Sequence, residues 1–158
     1  MSCDVAAIAA SLWLASTAAV APPPATPAVD RPTPPSVASE PLFVDIVTRA
    51  GALKVQAQAF EKGSLDADFD HTAGASDFEA AVAKLSDLDM QGHVELKSRG
   101  YSDDLKCILR GISQDLPVKM KALEAAADPK ARHDALQDMF YLLRDNVEVI
   151  TAPPQPAA

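Results

Sequence analysis

Two cysteines, Cys3 and Cys107, are all that the 158 residues hold, aromatic side chains make up 5%, and no Lys or Arg occurs before Arg31. Each scarcity excludes something. Two cysteines cannot build a multiply bridged scaffold, and without a Cys-x-x-Cys-His segment there is no covalent haem attachment. The chain also lacks a Gly-rich phosphate loop, a Gly-x-Ser-x-Gly nucleophile elbow and the paired Glu-x-x-His of a di-iron bundle. The expectation is that the protein is not an enzyme. Basic residues are few: 14 Lys and Arg stand against 22 Asp and Glu, a net charge of −8, and they are scattered rather than gathered in a stripe. A phosphate backbone is therefore not an expected partner.

What is present at the N-terminus is an uncharged apolar run, "VAAIAASLWLASTAAVA" over residues 5–21, followed by proline. That layout predicts a secretory signal peptide with a cut within residues 15–28, or a membrane anchor if uncleaved, although Asp4 stands where a positive charge belongs. Localisation is thus expected to be periplasmic or otherwise extracytoplasmic, with membrane contact only through this segment. Removal of the segment takes Cys3 with it and leaves Cys107 as the one thiol. Residues 22–41 hold eight of the 13 prolines and few large apolar side chains, so they read as a disordered linker, and 151–158, "TAPPQPAA", as a disordered tail.

Residues 42–150 remain as the folded domain, and four amphipathic segments fill it. Phe43, Ile46, Ala50, Leu53, Ala57 and Phe60 recur at steps of three and four between Pro41 and Gly63. Ser76 with Glu79 three residues on reads as a capping box for a second helix through Phe78, Val82, Leu85 and Leu88 toward Gly100. Ser102, Asp103 and Asp104 precede a third stripe of Leu105, Ile108, Leu109, Ile112 and Leu116, in which Pro117 predicts a kink. Asp128-Pro129 opens the fourth, with Ala135, Leu136, Met139, Leu143 and Ile150 on one face. The fold expected is all-α, an antiparallel up-and-down four-helix bundle behind a disordered Pro-rich segment.

Three constellations are candidates for function. In "SLDADFDHTAGASD", residues 64–77, Asp66, Asp68 and Asp70 alternate ahead of His71. The spacing resembles the first half of an EF-hand calcium loop, which implies a divalent metal held by Asp66, Asp68, Asp70 and His71, with Asp77 at position 12. His71 stands where the turn calls for Gly, and Ala73 where an apolar anchor belongs, so calcium binding is expected to be weak or absent and the chain to carry no resident cofactor. Asp89 and His93 lie one turn apart, and Asp89 and Gly92 interrupt the second apolar stripe. They are candidates for a pocket, for an ion pair of Asp89 with Arg110 or Arg132, and for a general base. Opposite the third helix's apolar face, Cys107, Gly111 and Val118 make a narrow stripe without charge. It reads as a contact with another protein, in the first place a second copy of this chain, which Cys107 would bridge by a disulfide.

Overall fold

The computed structural model describes residues 36–66, 73–101 and 104–152, and among them every regular element is helical. α1 spans Pro41–Gly63, α2 Ala75–Ser98, α3 Leu105–Glu124 and α4 Pro129–Thr151. α1 packs on α2 and α4, and α3 on α2 and α4, so α1 faces α3 and α2 faces α4 across the diagonals of a four-helix bundle. The expected signal or anchor segment, most of the expected linker and the end of the tail lie outside the described residues. The linker's last residues belong to the fold: Val37 is buried against the core, and the Glu40 amide donates to the Val37 carbonyl just ahead of α1.

The helix ends follow from local chemistry. Pro41 and Pro129 each stand at the start of a helix, where a missing amide hydrogen has no carbonyl to serve. Asp128 caps α4, its side chain accepting from the Ala131 amide at 2.8 Å. The expected capping box on α2 does not form. Ser76 and Glu79 lie inside the helix, and the N-cap is Gly74 at φ 74°, a left-handed conformation with no side chain to cap the first turn. α2 ends in a Schellman turn: Tyr101 N–H donates to the Leu96 carbonyl and Gly100 N–H to the Lys97 carbonyl, with Gly100 at φ 67°. Glu40, just before α1, accepts both terminal nitrogens of Arg99 at 2.7 and 3.0 Å, and this bond holds its carboxyl below the usual range.

Pro117 lies inside α3, and the helix continues through it to Glu124. The amide it lacks would have bonded the carbonyl four residues back, that of Ser113. That carbonyl is supplied from the neighbouring helix, because Ser86 Oγ of α2 donates to it at 2.7 Å. Ser86→Ala therefore orphans an acceptor on a buried residue and is expected to lower stability by about 1–2 kcal/mol. In a Pro117→Ala background the restored amide serves the same carbonyl, and the loss should fall below about 0.5 kcal/mol. Urea unfolding of the four proteins in the cycle measures the difference, and equal losses in both backgrounds would refute the pairing.

The core is one layer of apolar side chains from all four helices, including Phe43 and Ile46 of α1, Phe78 and Leu85 of α2, Leu109 and Leu116 of α3, and Met139 and Leu143 of α4. Ile108, placed on the core stripe by periodicity, is only half-buried. No helix of the described residues is long and apolar enough to cross a membrane.

Candidate functional site

Six polar or charged residues are buried among the described residues: Ser64, Asp89, His93, Lys106, Ser113 and Asn146. Four of them gather toward the end of the bundle where α2 and α4 finish. Asp89 of α2 and Asn146 of α4 are both 0% exposed, and Asn146 Nδ2 donates to Asp89 Oδ2 at 2.7 Å. Because α2 and α4 are diagonal partners, this bond crosses the middle of the bundle. Asp89 Oδ1 and Asn146 Oδ1 have no partner. Burial dominates the acid's electrostatics and raises its pKa to about 7, with the Asn146 bond opposing in part.

His93, one turn further along α2, is engaged elsewhere. Its Nδ1 lies 2.6 Å from the Lys106 carbonyl, which can only accept, so Nδ1 carries the hydrogen. The Lys106 ammonium turns back to the Tyr101 carbonyl. Asp89 and His93 therefore share a helix but not a hydrogen bond, and the partner of Asp89 is an amide, not Arg110 or Arg132. The interruption at Gly92 is filled rather than open: a Cβ there would stand 3.1 Å from Leu109 Cδ1 and 3.4 Å from both Ile46 Cδ1 and Phe43 Cε1. Asp89 is sealed in the core, where a general base has no route to a substrate.

Asn146 is absent from the candidates that the sequence offers, yet its signal is there. It falls between Leu143 and Ile150 on the apolar face of α4, the same kind of interruption that Asp89 makes in α2.

At the other end of the bundle the structure assembles Ser64, His133 and Glu61, a trio with the composition of a nucleophile, a base and an orienting acid. Ser64 Oγ lies 3.4 Å from His133 Nδ1, and His133 Nε2 lies 3.7 Å from Glu61 Oε1. The direction of the bonds rules out that role. Ser64 Oγ already donates its hydrogen to the Glu61 carbonyl at 2.7 Å, so toward His133 it can only accept, and Ser64 is 0% exposed. The trio fastens the end of α1 to the start of α4.

A cavity of about 230 Å³ opens beside it, lined by Phe60, Phe78, Met120, Leu136 and, among its polar residues, Glu124 and Arg132. The Phe60 and Phe78 rings meet edge to face at 5.6 Å between centroids. Neither Asp89 nor His93 lines this cavity.

Of the acidic loop, Asp66 is exposed beyond the end of α1 and Asp77 is exposed in the first turn of α2, where its charge complements the helix dipole. Asp68, Asp70 and His71 lie outside the described residues, and no group of three metal-ligating side chains occurs among the described ones. On α3, Val118 is 61% exposed, a Cβ on Gly111 would meet nothing within 4 Å, and Cys107 is half-buried. Cys107 is disulfide-bonded and so is not a free thiol. In comparisons with known proteins, no family model, no curated protein and no solved structure matches this chain.

Proposed function

We propose that the protein is a small helical binding and structural protein of the cell envelope, exported or membrane-tethered through its N-terminal apolar run, that associates with other proteins, its own copies first, along the outer face of α3. One observation carries the reading. The chemistry-bearing acid is sealed inside the bundle, while Gly111, Gln114, Val118 and Ala122 run without charge along the side of α3 opposite its buried stripe. An enzyme displays its acid to a cleft, whereas a helix that packs on a partner displays small and apolar side chains outward.

Native protein from fractionated cells tests both halves of the proposal. Its intact mass is expected to show processing within residues 15–28, and sedimentation equilibrium a reversible dimer that Val118→Glu weakens at least tenfold while leaving helical content unchanged, since the substituted position is exposed. A chain that begins at Met1 in the soluble cytoplasmic fraction would refute export. A monomer at every concentration would refute self-association.

A further inference from the structure

Asp89 and Asn146 each have one bonded polar atom and one orphan, and the orphans sit on the carbon that already carries the bonded atom. Both orphans are acceptors as long as the acid is ionised, so no rotation of either side chain pairs them. One hydrogen between them pairs both. We infer that Asp89 and Asn146 form a proton-dependent latch across the bundle: the neutral acid donates its O–H to Asn146 Oδ1 while Asn146 Nδ2 donates to the other carboxyl oxygen, and release of that proton to solvent unfastens one of the two bonds between α2 and α4.

The surroundings leave the acid no other way to be satisfied. Among the described residues the buried titratable groups are Asp89, His93 and Lys106, and the buried faces of α1 and α4 contribute none. From α3 the one buried charge is Lys106, whose ammonium is taken by the Tyr101 carbonyl. On α2 itself, His93 spends its Nδ1 hydrogen on the Lys106 carbonyl. An ionised Asp89 thus has no counter-ion, and an uncompensated buried carboxylate neutralises itself by taking a proton.

The direction follows from linkage. The carboxyl titrates near 3.8 where it is free and near 7 in the fold, so the folded chain binds the proton more tightly. The latch's contribution is complete below the lower value, declines as pH rises through the interval and is gone above the upper one. Across that interval the folding equilibrium constant is expected to fall by about a thousandfold from this group alone, since proton affinity changes tenfold for each pH unit that separates the two values.

Two measurements decide it. In wild-type protein, carbon-13 NMR of the aspartate side chains should show one carboxyl titrating near neutrality, and a carboxylic-acid stretch should persist in the infrared spectrum at pH 6. Asp89→Asn places an amide where the neutral acid was and can make the same two bonds, so it should remove both signals and flatten the stability profile between pH 4 and 8. If every carboxyl of the folded wild-type protein titrates below pH 5, the latch does not exist, whether or not the variant folds. If the variant folds and keeps the wild-type pH profile, another group is responsible and the assignment to Asp89 fails.

Discussion

Replacing Asp89 by alanine and Asn146 by leucine in the same chain should yield a bundle more stable than wild type at pH 8, by about 1–4 kcal/mol, the range in which buried polar groups exchanged for well-packed apolar ones fall. Above neutral pH the wild-type fold must either hold a carboxylate in the core or keep a proton that water would otherwise take, and the double variant does neither. It also places leucine, which has the same branched shape as asparagine, where the amide was, and uses the two strongest helix formers. The single variants should behave oppositely. Asn146→Leu strands a fully buried acid whose one hydrogen-bond partner it removes, and should lower stability by about 2–3 kcal/mol. Asp89→Ala strands the amide and gains little. The three variants, unfolded in urea at pH 8, should therefore depart from additivity by several kcal/mol, as groups in direct contact do. A double variant less stable than either single one would show that the pair is a net source of stability.

The retention of such a pair has a structural reading. Apolar side chains in a bundle core can slide by a turn at small loss, but a donor and an acceptor meeting across the diagonal have one register. Asp89 and Asn146 fix the height of α2 against α4, which share no direct backbone contact. The proton dependence then comes with the register device.

The four helices are legible because each carries an apolar stripe of helical period bounded by proline, glycine or an acidic cap; for α1 the sequence puts Pro41 near the start and Gly63 just past the end, and the helix observed runs one residue further, Pro41–Gly63. The errors are local. Ser76 and Glu79 have the spacing of a capping box, but the left-handed turn at Gly74 starts α2 one residue before Ser76, and two short motifs competing over three residues cannot be ranked without the loop's path. Pro117 shows in the sequence only as a break in its own helix. Its remedy, the Ser86 hydroxyl, comes from another helix, and sequence periodicity carries no information about the rotation of one helix against another. The candidate site is half legible for the same reason. Asp89 and Gly92 stand out as breaks in one stripe and Asn146 as a break in another, but that the two polar breaks lie at one height is a fact of register. Ser64, His133 and Glu61 come together through the same kind of long-range placement, and only the bond directions show that they are a fastening.

Gly92 offers the sharpest test of how tightly that register is packed. Its missing side chain is replaced by the ends of three others, Leu109 from α3 and Ile46 and Phe43 from α1, so that α2 is approached from both sides at one point. Alanine there should be nearly neutral: a helix interior favours it over glycine by about 1 kcal/mol, and the crowding it meets, 3.1 Å to the end of the Leu109 side chain, relaxes by a small rotation. Leucine is different, because three further carbons must enter space already held by fully buried side chains. Gly92→Leu is expected to lower stability by about 3 kcal/mol, the upper end for overpacking, and the melting temperature by roughly 10 °C for a domain of this size. Truncating the neighbour it strikes should return part of the loss. Gly92→Leu with Leu109→Ala should be more stable than Gly92→Leu alone, even though Leu109→Ala in the wild-type background removes a fully buried side chain and is expected to lose about 2–5 kcal/mol. That reversal of sign requires the two side chains to claim the same volume, and simple additivity of the two losses, read from thermal unfolding, would mean that α2 and α3 do not meet at this height.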